Sequence, residues 1–127
     1  MYALIIDDSR AMRRILRQIV EPLGFEIMEA GNGQEGLACL HQVDHVELTL
    51  VDWNMPVMNG LEFVKAVRAD DGWREMKLVM VTTETEPAQM ARALMAGVDE
   101  FVMKPFTADI LLDKLRLIGV NMTQQAG

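Results

Sequence analysis

The stretch ELTLVDWNMPVMNG, residues 47–60, runs an apolar segment straight into an acid and then breaks it. Leu48 to Val51 read as a buried strand that stops at Asp52. Asn54, Pro56 and Gly60 follow as turn chemistry, and a helix is expected from about Asn59 to Ala69. One aspartate at a strand end carries little information. The same ending repeated along the chain carries a great deal.

Outward from this stretch, short apolar runs alternate with amphipathic ones. Tyr2–Ile6 reads as a strand, followed by Met12, Ile15, Leu16, Ile19 and Leu23 at helical spacing, with Asp8 or Ser9 as the cap. Pro22 to Gly24 closes that helix. Residues 25–30 alternate as a second strand, Gly31 to Gln34 make a turn, and a helix runs on to about Gln42. Asp70 to Trp73 read as a loop, and Lys77–Thr82 as the fourth strand. Pro87 suits the first turn of a helix ending near Gly97. Glu100–Met103 is a short fifth strand, and Thr107 caps a last helix. Five strands alternating with five helices predict an α/β fold, a doubly wound parallel sheet covered on both faces. One domain over residues 1–119 is expected, with a short frayed tail at 120–127.

The bulk numbers fit a globule: 127 residues, half of them hydrophobic and 24% charged. A net charge of −7 argues against a DNA partner. No apolar run approaches the length of a membrane span, and the N-terminus has no basic segment or cleavage site of a signal peptide. A cytoplasmic protein is therefore expected, with no membrane partner. Cys39 is the only cysteine, which excludes an internal disulfide and suits a small apolar helix position.

The polar residues gather at one edge. Strand one ends at Asp7-Asp8, strand three at Asp52, and strand four at Thr82-Thr83, while strand five is followed by Lys104-Pro105. In a doubly wound sheet these all fall at the carboxyl edge, where ligands bind. Three carboxylates crowded together are unfavourable without a cation. Oxygen donors with no His or Cys beside them suit Mg²⁺. A lysine and a hydroxyl alongside complement an anion, and the set describes a site for a phosphoryl group. Singly, each residue has a plainer use: a helix cap at Asp7-Asp8, a turn residue at Asp52, a strand residue at Thr82, a solvated lysine at Lys104. Their shared edge is what argues otherwise.

The motifs IIDDSRAMRR, VDWNMPVMNGLEFV, VMVTTE and VMKPFT, in this order and spacing, resemble the receiver domain of two-component response regulators. The stand-alone chemotaxis regulators are the nearest likeness. The similarity runs from about Tyr2 to Ile118. It implies a flavodoxin-like sheet of order 2-1-3-4-5 with five flanking helices. It implies that Asp52 is the phosphoacceptor, attacking a phosphohistidine on a sensor histidine kinase or a histidine phosphotransfer protein. Asp7, Asp8, Asp52 and the backbone carbonyl of Asn54 would hold Mg²⁺. Lys104 would pair with the acceptor and then with the phosphate, and Thr82 would turn its hydroxyl toward the phosphoryl oxygens. Pro105 would be cis-linked and fix the loop geometry. Phe101 stands where the family carries an aromatic that rotates inward when the hydroxyl moves, which links Thr82 to an output surface on helix four, strand five and helix five. Met90 and Met95 would be adaptable contacts there, and Arg10, Arg13, Arg14 and Arg17 could steer a kinase.

The expected role is a signalling switch rather than an enzyme, acting on an unidentified output protein, with slow self-dephosphorylation at most. A phosphate relay or sink is the alternative. A phosphorylation-independent binding module is a further one, opposed by the intact set of site residues. A phosphatase with an aspartate nucleophile would want a second acid two residues after Asp52, and Asn54 stands there instead.

Overall fold

The computed structural model describes residues 1–120. The strands are β1 (Tyr2–Ile6), β2 (Glu26–Ala30), β3 (Leu48–Val51), β4 (Lys77–Thr82) and β5 (Glu100–Met103). The helices are α1 (Arg10–Val20), α2 (Gly33–Leu40), α3 (Gly60–Arg68), α4 (Pro87–Ala96) and α5 (Ala108–Leu117). All strand pairs are parallel and the sheet order is β2-β1-β3-β4-β5, so the expected topology holds. Short 3₁₀ turns, Glu21–Leu23 and Asp71–Trp73, occupy the segments expected as a helix stop and a loop.

Parallel strands are covered on both faces, so their side chains divide between two cores. Leu4, Ile6, Val51, Leu78, Met80 and Phe101 pack with α2, α3 and α4 through Leu40, Phe63, Val64, Val67 and Ala93. Ala3, Ile5, Leu48, Leu50, Val79, Val81 and Val102 pack with α1 and α5 through Leu16, Val20, Leu111 and Leu115. Val120 joins this second core and its N–H donates to the Leu115 carbonyl, so the packed domain reaches one residue past the expected boundary. The rest of the expected tail, 121–127, lies outside the described residues. Among the described residues no helix is long and apolar enough to cross a membrane.

Side-chain caps start four of the helices. Ser9, Asn32, Asn59 and Thr107 each accept a backbone N–H from the first turn, and Asn59 with Glu62 forms a reciprocal box. Helix α4 differs: it begins at Pro87, and Glu86 before it makes no side-chain cap.

Candidate functional site

The acids reach one place because the strands that carry them are neighbours. Strands β1 and β3 pair in register through Ile6 and Val51, so Asp7 and Asp52 leave the sheet side by side. The backbone continues this order: the Asp52 N–H donates to the Ile6 carbonyl and the Asp7 N–H to the Ala30 carbonyl. Asp7 and Asp52 are buried while Asp8 is exposed, and one carboxylate oxygen from each lies within 4.8 Å of the other two.

One residue from the far end of the chain closes the cluster. Lys104 Nζ donates to Asp7 Oδ2 at 2.8 Å and to Asp52 Oδ2 at 3.1 Å. Burial alone pulls the Lys104 ammonium down. Hydrogen bonds and charge from Asp7 and Asp52 outweigh burial and hold it above its ordinary value. The other carboxylate oxygens are bound locally, Asp7 Oδ1 by the Ser9 N–H at 2.9 Å and Asp52 Oδ1 by the Trp53 N–H at 2.7 Å. The Lys104-Pro105 peptide is cis.

Thr82 is fully buried and does not bond the acids. Its Oγ1 accepts the Glu84 N–H at 3.1 Å, and Glu84 Oε2 accepts the Glu86 N–H at 3.1 Å. The hydroxyl thus holds the loop that leads into α4. Asn54 is exposed beside Asp52, and its side chain has no hydrogen-bond partner among the described residues. Phe101 is already inside: it is 8% exposed and belongs to the α3–α4 core. It shares a sheet face with Thr82, one step along the β4–β5 register that pairs Met80 with Phe101 and Thr82 with Met103.

Sequence reasoning missed three supports of the site. A Cβ on Gly60 would stand 2.1 Å from the Asp52 carbonyl oxygen, so only glycine lets α3 start against the end of β3. Gly60, read from the sequence only as turn chemistry, was the visible trace of that constraint. Arg13 donates to the Asp7 carbonyl oxygen and to Glu29, giving one of the four α1 arginines a structural task. Arg17 also binds Glu29, while Arg10 and Arg14 have no partner among the described residues. The third support is the turn at Val57. Its φ is +68°, and the Met58 N–H donates to the Pro56 carbonyl across it at 2.7 Å. That is a tight γ-turn in the left-handed region, costly for a β-branched residue.

A metal would fit the acid cluster. The donors are hard carboxylate oxygens, two from buried residues, and they converge with no His or Cys among them. A doubly wound sheet with acids and a lysine converging at its carboxyl edge defines a class of phosphoryl-handling domains. Residues 3–116 match the response regulator receiver domain, and the chain belongs to that family. It is a CheY-like receiver. It is 42% identical to chemotaxis protein CheY1 of Helicobacter pylori over 123 residues, covering 95% of this chain and 99% of that one. It is 44% identical to the chemotaxis protein CheY homolog of Campylobacter jejuni over 116 residues, 91% of this chain and 89% of that one. The structure of chemotaxis protein CheY4 of Vibrio cholerae superposes with a TM-score of 0.85 at 33% identity, covering 92% of this chain and 97% of that one. Receivers of this family are signalling switches rather than conventional enzymes, and they bind Mg²⁺ at an acidic pocket.

Proposed function

We propose that this chain is a phosphorylation-dependent switch in chemotaxis-type signalling, with Asp52 as the phosphoacceptor. The observation that carries this reading is the position of Lys104, whose ammonium lies between Asp7 and Asp52 while Asp8 stands beside them. An Asp52 carboxylate oxygen attacks the phosphorus of a phosphohistidine on a kinase or phosphotransfer protein. The P–N bond breaks, the imidazole leaves with the electron pair, and an acyl phosphate forms. Asp7, Asp8, Asp52 and the Asn54 carbonyl would hold Mg²⁺. When bound, that ion supplies charge neutralisation at the phosphoryl oxygens.

Lys104 has a third N–H that no described residue takes up, and it is placed to follow charge from Asp52 to a phosphoryl oxygen. Thr82 would give up the Glu84 N–H in exchange for that phosphoryl group. The loop into α4 then loses its anchor, and the surface made by α4, β5 and α5 changes for an output protein. Met95 and Leu94 on α4, and Ile110 and Leu117 on α5, already present apolar surface there. Phe101 already lies in the core that Ala93 of α4 also enters. That burial favours a second reading, a relay or phosphate sink with little remote change.

The experiment is labelling with a small phosphodonor and Mg²⁺, read by intact mass. One phosphoryl group, labile to base, is expected on the wild type and none on Asp52→Asn. Label that persists at full level in that variant would place the acceptor elsewhere. Trp53, buried next to Asp52, should report saturable Mg²⁺ binding by fluorescence, strongly weakened in Asp8→Ala.

A further inference from the structure

Helix α4 is held very differently at its two ends. At its start it has no side-chain cap, no acid in its first turn, and a loop hung from Thr82 through Glu84. Along its length Ala93 is the one fully buried residue, where α3 buries Gly60, Phe63, Val64 and Val67. At its end Gly97 closes the helix with φ +118°, and its N–H and that of Val98 return to the Ala93 carbonyl.

That closed end is bolted to α3 by Arg68. Its Nε donates to the Gly97 carbonyl at 3.0 Å, and Nη1 donates to the Trp73 and Arg74 carbonyls at 2.8 and 3.1 Å. Its Nη2 donates to the Met76 carbonyl at 2.8 Å and to Asp99 Oδ2 at 3.1 Å. All five N–H donors of the guanidinium are used. Asp99 Oδ2 also accepts the Leu78 N–H at 2.8 Å, so the network continues into β4. A Cβ on Gly97 would lie 2.6 Å from Arg68 Cγ, which shows how closely the two are fitted.

We infer that Arg68 is a positioning residue for the switch: it makes Gly97 the fixed pivot of α4, so the helix responds by swinging its Pro87 end. The inference rests on the reading of α4 as output surface for its purpose, but the asymmetry of the helix stands without phosphate. A swinging helix exposes most change near Thr82 and Pro87 and least at Gly97. A partner sensitive to phosphorylation would then read the first half of α4, and one insensitive to it would contact the second half, around Met95.

The test is amide hydrogen exchange on the full chain without phosphodonor, then amide spectra with beryllium fluoride and Mg²⁺. In the wild type, exchange should slow steadily from the first turn of α4 to Gly97 and Val98. In Arg68→Met the protection at Gly97, Val98 and Asp99 should fall by about tenfold or more, while α5 keeps its own. Arg68→Lys, which reaches only part of the acceptor set, should fall between the two. Uniform protection along α4 in the wild type overturns the pivot, even if neither variant folds. So does an unchanged gradient in Arg68→Met. With beryllium fluoride, shifts should be largest at Glu84 to Met90 and smallest at Gly97. Equal shifts at both ends overturn the swing. If the residues around Asp8, Asp52 and Lys104 do not respond, the phosphoacceptor reading fails, and the pivot is still decided by exchange.

Discussion

The two edges of the sheet each hold a cation that ties distant loops together, and the two cations do opposite things. At the amino edge Arg68 meets four carbonyl oxygens and one carboxylate with five donors, so nothing is left for a ligand. At the carboxyl edge Lys104 meets two buried carboxylates with a third close by, and one of its donors stays free of any described residue. Matched donors and acceptors stabilise a fold. Mismatched ones, with excess negative charge, leave a place suited to a cation.

The sharpest way to break this comparison is to remove Asp52, the proposed acceptor. Asp52→Asn should reduce phosphoryl labelling to background, yet change the stability of the metal-free protein by less than about 1 kcal/mol, because lost attraction to Lys104 is offset by relieved crowding with Asp7. A large drop in stability would show that the carboxyl edge is a structural clamp like the other. The reciprocal experiment is Arg68→Ala, expected to cost ~2–4 kcal/mol in denaturant unfolding by stranding carbonyls and Asp99, while the folded fraction still labels at Asp52. A cost below about 1 kcal/mol would mean that water replaces the guanidinium, and the contrast between the edges would weaken.

Acid should find the carboxyl edge first. Burial alone would raise the Glu29 carboxyl, but hydrogen bonds and charge from Arg17 and Arg13 outweigh it and hold Glu29 below its ordinary value of 4.5. A depressed carboxyl contributes stability above its unfolded pKa and loses it as pH falls through the folded one. Arg13 also supports the Asp7 carbonyl, so this edge should loosen below about pH 4.5. Glu29→Gln should flatten the acid limb of the stability profile by less than about 1 kcal/mol, since the pair is partly solvated. An identical limb in both proteins would assign acid sensitivity to other groups.

The smallest effect concerns backbone strain. The amino edge puts glycine at its left-handed position, Gly97, whereas the carboxyl edge puts Val57 at φ +68°. Val57→Gly should raise stability by about 0.5–1 kcal/mol, the relief of a left-handed β-branched residue less the entropy of added glycine freedom. A loss of stability instead would mean that the exposed Val57 side chain has packing worth more than its strain.

How far the sequence could be read follows the range of each interaction. Strand and helix periodicity, Ser9 and Thr107 as caps, and Pro87 and Gly97 at the ends of α4 are signals spread over a few residues. They placed nearly every element, and missed only that Pro22 and Asp71 sit in 3₁₀ turns rather than in a plain stop and loop. The convergence of Asp7, Asp8 and Asp52 was legible for a similar reason: alternation implies a parallel sheet, and a parallel sheet puts every strand end at one edge. What sequence order could not supply was contact between side chains far apart along the chain. Lys104 reaches Asp7 across 97 positions and Asp52 across 52, and the pairing exists only because β5, β1 and β3 end at one level. Arg68 at a helix end reads as an ordinary solvated cation, and only the meeting of α3, α4 and the start of β4 surrounds it with acceptors. Phe101 gave no sign of whether it lay in or out, because packing in the tertiary core decides that. The sequence alone determined the alternating α/β fold and the edge where the acids gather, since local pattern and chain direction fix both. The tertiary structure alone decided which cation is spent on the fold and which is left for the site, since that depends on how many acceptors surround each charge.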